Sequence, residues 1–154
     1  MHPSRVPICL AALTAAAAVL GTPARARAAG KTFTYHLRMN HVDWNQGAKA
    51  YGGPRASLIS FQDGMSAGKR LPYEIGPGRV RAYVYLLPEG ERRVTVTIGG
   101  QSQSVVLPAD MPRYHREELV FDLKEATDRV RFGAQALGEG KQRIIWYATT
   151  LTND

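Results

Sequence analysis

The chain has 154 residues, of which 44% are hydrophobic, and carries 20 Lys and Arg against 13 Asp and Glu. A chain of this length predicts one domain with a hydrophobic core. Its basic residues are scattered among acids and form no dense stripe of the kind that nucleic-acid binding favours. We therefore expect one globular domain whose partners do not include nucleic acid.

Residues 1–28 have the pattern of a cleaved signal peptide. The basic residues His2 and Arg5 precede the apolar run ICLAALTAAAAVLG, and the ARA at 26–28 is a small-x-small cleavage pattern. The run is shorter than the roughly 20 apolar residues of a membrane-spanning helix. We therefore predict cleavage after Ala26 or Ala28 and export to the periplasm or the extracellular space. The mature domain would be 29–154, without a transmembrane segment.

The predicted signal also contains the only cysteine of the chain, Cys9. Because Ile8 precedes it and the apolar run continues beyond it, we do not expect it to carry a lipid anchor. The mature domain then has no thiol, which excludes disulfides and cysteine-ligated metals. Losing the signal removes three arginines and no acids, so the formal charge falls from +7 to 17 − 13 = +4.

Beyond the signal, apolar residues recur with a period of two, which predicts β-strands. The segments TFTYHLRM, RVRAYVYLL and RRVTVTI alternate in this way, and Gly99-Gly100 suits a tight hairpin turn into SQSVVLP. Further strands are predicted at 56–61, 71–75, 130–137 and 143–151, with turns rich in Gly and Pro between them. The predicted core faces of the first three segments hold Phe33, Tyr35, Leu37, Met39, Val80, Ala82, Val84, Leu86, Val94, Val96 and Ile98.

One segment, 116–132, fits two structures. Its apolar residues match two strands joined by a turn at 124–128, and they also match one helix. We favour the strands, because short strands at regular spacing without long helical periods indicate an antiparallel sandwich. The predicted fold is therefore an all-β, antiparallel, jelly-roll-like β-sandwich of about 8–9 strands with little helix.

Enzyme motifs such as G-x-S-x-G, H-E-x-x-H and the P-loop do not occur in the sequence. His41, Asp43 and His115 match the ligand types of a facial-triad iron site, so a small metal-dependent enzyme is a second alternative function. A solvated sheet face, not a glycosidase pair, is expected for the acidic residues Glu74, Glu117, Glu118 and Asp122. We predict a domain without catalytic residues, cofactor or bound metal.

The polar segment 40–54 is predicted as a loop of about 15 residues, a length that often indicates function. Trp44 could stack on the apolar face of a sugar ring there, with Asp43, Asn45 and Tyr51 bonding its hydroxyl groups. Alternatively, Trp44 folds back to plug the end of the sandwich, or the segment contributes to the metal site.

Tyr83 and Tyr85 lie on the face opposite the apolar stripe of their predicted strand, together with Arg81. A tyrosine beside an arginine can stack on a sugar and hydrogen-bond its hydroxyl or acidic groups. The alternative is that this face packs under a loop, with the arginine stems covering the rings.

Three segments in the second half of the chain carry a resemblance: VRAYVYLLPEGERRVTVTIGGQSQSVVLP, YHREELVFDL and DRVRFGAQALGEGKQRIIWYATTLTN. Over residues 79–153 this order of strands and turns resembles the galactose-binding-like β-sandwich, the jelly roll of many carbohydrate-binding modules. The resemblance implies the fold. The chain departs from these modules at Ala148 and Thr149, where their last strand often has an Asp, and it shows no carboxylate cluster matching their calcium site. No ligand-binding residue is therefore carried over.

These observations predict an exported, non-catalytic domain that binds a carbohydrate or another cell-envelope component. The alternative is a periplasmic structural or protein-interaction domain that uses a sheet edge or the face with Arg and Tyr. The candidate ligand-binding residues are Asp43, Trp44, Asn45, Tyr51, Arg81, Tyr83 and Tyr85.

Overall fold

The computed structural model describes residues 32–54, 56–60, 64–109, 114–139 and 143–153. The predicted signal peptide and Cys9 lie outside these residues. Within them the chain forms eleven strands and one 3-10 helix of 3 residues, Met39–His41. The all-β prediction is confirmed, and the strand number is eleven where about eight or nine were predicted. The strands are β1 Thr34–Arg38, β2 Trp44–Gln46, β3 Lys49–Tyr51, β4 Ser57–Ser60, β5 Gly64–Ile75, β6 Gly78–Pro88, β7 Arg92–Ile98, β8 Gln101–Leu107, β9 His115–Leu123, β10 Thr127–Ala136 and β11 Ile144–Thr152.

The strands form two antiparallel sheets that enclose one core. The six-stranded sheet has the order β3-β4-β11-β6-β9, with β1 also pairing with β11, and the five-stranded sheet has the order β2-β5-β10-β7-β8. Among the described strands, only β3–β4 and β7–β8 are consecutive neighbours within a sheet. Every other connection passes from one sheet to the other, as in a jelly roll.

The core follows the predicted alternation of apolar residues. Val80, Ala82, Val84 and Leu86 of β6 are buried, as are the alternate apolar residues of β7. Phe33 and Tyr35 are only partly buried, but they pack against the core as predicted for their strand face.

Trp146 is the largest fully buried side chain in the described part of the chain. Its ring meets Phe132 edge-on, with 5.3 Å between the ring centroids. Its indole Nε1–H donates to the Thr149 hydroxyl at 3.0 Å, and that hydroxyl lies 3.6 Å from the sulfur of Met39. The buried Trp therefore has its one polar group satisfied inside the core, as such a group requires.

Two local predictions are confirmed. Gly99 and Gly100 have φ of 57° and 81°, and Ile98 pairs with Gln101, which is the geometry of a two-residue hairpin turn. Segment 116–132 is strand, turn and strand, because β9 ends at Leu123 and β10 begins at Thr127. No described helix is long and apolar enough to cross a membrane.

The predicted loop at 40–54 is instead partly ordered as β2 and β3. β2 pairs with β5 in one sheet and β3 pairs with β4 in the other, so the chain turns between the sheets at Gly47. This corner needs glycine, because φ is +75° and a Cβ would lie 2.4 Å from the carbonyl oxygen of Gly64. Both strands were missed because all their residues are exposed edge positions, which leave no apolar alternation.

Candidate ligand-binding site

Trp44 lies on the outer face of the five-stranded sheet, at its edge strand β2. It pairs with Gly68 of β5, which in turn pairs with Arg131 of β10. The same row of residues continues across the sheet to Thr97 and Ser102. The side chains of Arg131 and Thr97 point away from the core, since the residues on either side of each are buried.

The indole of Trp44 rests directly on the backbone of Gly68. A Cβ at Gly68 would lie 2.3 Å from the indole Nε1 and 2.6 Å from Cε2, so the ring occupies the space that any side chain would fill. An aromatic ring laid over a glycine of the neighbouring strand covers its backbone and is held by it. Trp44 nevertheless keeps 47% of its surface exposed. The ring therefore forms a platform on the sheet and does not plug the end of the sandwich.

Asp43 anchors this edge strand to β5. Its backbone N–H donates to the Gly68 carbonyl at 2.8 Å. Its carboxylate accepts from Lys69 Nζ at 2.7 Å and from the Arg70 backbone N–H at 2.6 Å. The hydrogen bond from Lys69, followed by that from Arg70, lowers the pKa of Asp43. Both carboxylate oxygens are thus occupied, and Asp43 positions Trp44 from the adjacent residue.

A groove beside Trp44 is lined by basic side chains. Lys69, Arg70, Arg129 and Arg131 all border it. Lys69 is paired with Asp43, and Arg70 Nε donates to Asp128 at 2.6 Å. Among the described residues, the guanidinium groups of Arg129 and Arg131 have no ion pair or hydrogen bond. The groove therefore combines an exposed indole with two unpaired cations.

The sheet beyond the groove is polar and built from small side chains. The hydroxyl groups of Thr97 and Ser102 are 2.7 Å apart, and those of Thr95 and Ser104 are also 2.7 Å apart. Gly133 lies beside Thr95 in the same sheet. Beyond Arg131, the outer face of β7 and β8 therefore carries hydroxyl groups on small side chains.

The second group of candidate residues lies on the outer face of the six-stranded sheet. Tyr83 is covered by Arg116 of β9, whose guanidinium carbon is 4.0 Å from the ring centroid. Arg81 makes an ion pair with Glu118 at 3.3 Å. A neighbouring arginine, Arg116 of the adjacent strand, therefore covers the Tyr83 ring.

Tyr85 belongs to a tyrosine surface that the sequence did not reveal as a unit. This surface consists of Tyr85, Tyr114 and Tyr147 with Arg38. Tyr114 is 60% exposed, and its ring centroid is 4.3 Å from that of Tyr147. Tyr147 is at an irregularity of β11, where the pairing with β6 shifts between Trp146 and Ala148. Tyr147 follows the buried Trp146, so alternation places it on the outer face, but the local sequence does not show that Tyr114 contacts it.

The structure does not bring the seven candidate residues into one site. Asp43 and Trp44 lie together at the five-stranded sheet, and Asn45 follows Trp44 on β2. Tyr51 lies on β3 at the edge of the other sheet, where it pairs with Ser57. The remaining three candidates, Arg81, Tyr83 and Tyr85, are in β6 of that second sheet.

The alternative metal ligands are also separated. Asp43 is bound to β5, whereas His115 begins β9 in the six-stranded sheet and contacts Glu117. His41 ends the 3-10 helix. In the part of the chain that the structure describes, no three His, Cys, Asp or Glu side chains are close enough to hold a metal ion.

Known structures with the same fold are numerous. The C-terminal CBM6 of LamC, a marine laminarinase from Zobellia galactanivorans, matches with a TM-score of 0.60 and 8% identity, over 78% of this chain and 99% of that one. CsCBM6-3 from Clostridium stercorarium, in complex with cellobiose, matches with a TM-score of 0.55 and 9% identity, over 74% of this chain and 90% of that one. This chain has the β-sandwich fold of carbohydrate-binding modules.

The likeness to these modules extends to fold alone, given its low identities. The insecticidal crystal protein Cry2Aa also matches, with a TM-score of 0.55 and 12% identity, over 81% of this chain and 22% of that one. No protein-family description and no curated protein sequence matches the chain. The fold resemblance predicted from residues 79–153 is confirmed, and the fold by itself does not identify a ligand.

Proposed function

We propose that this chain is an exported, non-catalytic domain that binds a carbohydrate in the groove beside Trp44. The observation that carries the proposal is the half-exposed indole held flat against Gly68. The carbohydrate-binding modules of the same fold support it. Export rests on the signal pattern of residues 1–28.

The geometry around Trp44 suits a sugar ring. The face of a pyranose carries C–H groups that pack on an aromatic ring, while its rim carries hydroxyl groups that need hydrogen-bond partners. Arg131, one strand beyond Gly68, can supply donors to that rim. Because the indole is already held by the sheet and by the Asp43 anchor, binding would freeze few side-chain rotations.

The proposal is tested by comparing Trp44→Ala with Tyr51→Ala on a panel of immobilised polysaccharides. Tyr51 is a matched control, because it is 42% exposed and lies on an edge strand of the other sheet. Removing an aromatic residue at the centre of a binding surface costs about 2 kcal/mol or more, or about 30-fold in affinity. We expect this loss for Trp44→Ala alone. Equal retention of both variants and the wild type would overturn the proposal.

Export is tested separately by expressing the full-length chain in a bacterium and sequencing the N-terminus of the mature protein. We expect a start at Arg27 or Ala29, following cleavage after Ala26 or Ala28. Recovery from the cytoplasm with residues 1–28 intact would contradict export and leave the binding proposal standing.

The tyrosine surface favours a second candidate function, a protein-interaction domain. Exposed tyrosines with a nearby arginine are typical of protein interfaces. The rings of Tyr114 and Tyr147 pack against each other at an angle of 43° beside Arg38. This function predicts a partner that cross-links to the wild type and to Trp44→Ala but is lost with Tyr114→Ala. A partner set that is unchanged by Tyr114→Ala would count against it.

A further inference from the structure

The groove beside Trp44 also indicates which class of carbohydrate it fits. Resting on the proposed function, we infer that the ligand is an acidic polysaccharide whose carboxylate or sulfate groups bind Arg131 and Arg129. Two observations support this inference. Arg129 and Arg131 have no acidic partner among the described residues, and Arg131 lies in the same row of the sheet as Trp44 with only Gly68 between them.

Arg129 and Arg131 of the groove differ from Arg79 and Arg81 on the opposite face, which have acidic partners. On the six-stranded sheet, Arg79 pairs with Asp122 at 3.3 Å and Arg81 pairs with Glu118 at 3.3 Å. Arg116 in the same sheet lies over the Tyr83 ring. The charges of Arg79 and Arg81 are therefore matched by acids within the protein, whereas Arg116 is held against an aromatic ring.

The acidic residues around the groove already form ion pairs with basic residues. Asp43 is bound to Lys69, and Asp128 is bound to Arg70. Arg129 and Arg131 are left with unpaired guanidinium groups within the described part of the chain. Two positive charges therefore remain beside the indole. A neutral sugar would leave them unmatched, whereas a carboxylate or sulfate matches the paired N–H donors of a guanidinium group.

The register places these charges at a useful distance from the platform. Arg131 is in the same row as Trp44, two strands away, which corresponds to about 10 Å at the usual spacing between strands. Gly68 is the only residue between them in this row, and it has no side chain to block the path. A sugar stacked on Trp44 can therefore continue over Gly68 to a neighbouring sugar whose acidic group meets Arg131.

Among the described residues, Arg129 adds a second unpaired positive charge on the same strand as Arg131. It lies two residues before Arg131 on β10 and pairs with Arg70 of β5. Because Arg70 is bound to Asp128, its charge is compensated and Arg129 remains the uncompensated member of this pair. Two unpaired arginines on one face of a strand can each bind an acidic group. A polysaccharide with acidic groups on successive sugars would therefore bind more tightly than a ligand with one acidic group.

The experiment uses two pairs of polymers that differ only in charge. Polygalacturonate is compared with its methyl-esterified form to test carboxylate, and dextran sulfate is compared with dextran to test sulfate. Wild type, Arg131→Gln, Trp44→Ala and Arg79→Gln are measured with each polymer by affinity electrophoresis or calorimetry. Arg79→Gln is the matched control, because it removes one exposed arginine from the other sheet.

We expect at least one acidic polymer to bind tenfold or more tightly than its uncharged form. Arg131→Gln should remove most of this preference, and Arg79→Gln should leave it intact. Binding of the acidic polymer should weaken strongly in about 1 M salt, where the Debye length is about 3 Å. The polymer pair that shows the preference tells carboxylate from sulfate.

The possible failures separate the two proposals. If Trp44→Ala abolishes binding but charged and uncharged polymers bind equally, the inference of an acidic ligand is wrong and the proposed function stands. If Arg79→Gln weakens binding as much as Arg131→Gln, the attraction is general to the surface and the inference is also wrong. If acidic polymers bind equally well to Trp44→Ala and the wild type, the groove is not the site and both fail.

Discussion

The contact between Trp44 and Gly68 makes a sharp prediction for the substitution Gly68→Ala. The added Cβ would lie 2.3 Å from the indole Nε1, 2.6 Å from Cε2 and 2.8 Å from Cζ2. An ordinary contact is at least 3.4 Å, so the ring must move by about 1.1 Å or swing away from the sheet. The φ of Gly68 is outside the left-handed region, so the backbone itself accepts alanine.

The expected effect of Gly68→Ala on folding is small and its effect on binding is large. Overpacking against a rigid core costs about 1–3 kcal/mol, but here the obstructing group is a half-exposed ring on an edge strand, which can move. Replacing a strand glycine with alanine also restricts the unfolded chain, which returns about 0.4–1 kcal/mol. We expect the unfolding free energy to fall by about 1 kcal/mol. The displaced platform should weaken binding about tenfold or more, which corresponds to about 1.4 kcal/mol.

Gly133→Ala is the matched control for this prediction. Gly133 lies on β10 of the same sheet, and a Cβ there would meet nothing closer than 3.8 Å. Thermal unfolding of both variants would measure the first effect, and calorimetric titration with polygalacturonate or dextran sulfate, whichever the wild type binds, would measure the second. Iodide or acrylamide quenching of tryptophan fluorescence would report the movement of Trp44 without any ligand, since Trp146 is fully buried. Unchanged quenching and affinity in Gly68→Ala, or an equal loss in Gly133→Ala, would refute the reasoning.

Two further predictions concern the core and the anchor of the site. Thr149→Val removes the hydrogen-bond acceptor of the buried Trp146 Nε1–H. The unfolding free energy, measured by denaturant titration, should therefore fall by about 1–3 kcal/mol while ligand affinity is unchanged. A loss of affinity in the fully folded variant would contradict this prediction. The pKa of Asp43 is lowered in the folded protein, so its stabilising contribution is present above the ordinary carboxyl pKa and is lost as the pH falls through the lowered pKa. The unfolding midpoint of Asp43→Asn should therefore change less with pH in the acidic range than that of the wild type. Parallel pH profiles of the two midpoints would contradict the stabilising role of the Asp43 carboxylate.

The sequence predicts the central strands well because their burial is one-sided. In β6 and β7 every second residue enters the core, and the intervening polar residues face outward, so the period of two is unbroken. β5 is predicted only over its last part, 71–75. In its first part Met65 and Ala67 are buried, but the apolar alternation is interrupted by glycines and basic residues, namely Gly64, Gly68, Lys69 and Arg70. The sequence pattern therefore does not indicate a strand there.

The candidate site could be predicted only in part, because it depends on pairing between distant segments. Trp44 is recognisable as an exposed aromatic residue in a polar segment. Nothing in the local sequence places it beside Arg131, since that neighbourhood requires β2 to pair with β5 and β5 with β10. The contact between Tyr114 and Tyr147 likewise depends on pairing between distant segments, since β9 and β11 both pair with β6.

The division of the candidate residues between two sheets limits what one ligand can contact. Stacked sheets are about 10 Å apart, and their outward side chains point in opposite directions. Trp44 and Tyr85 both project outward, from different sheets, so the core of the sandwich lies between them. A sugar chain stacked on Trp44 can reach Arg131 along the sheet, but it cannot touch Tyr85 without passing around the edge of the domain. The tyrosine surface therefore does not contact a ligand bound in the Trp44 groove. Substitutions at Tyr85 or Tyr114 are not expected to change the affinity of that groove.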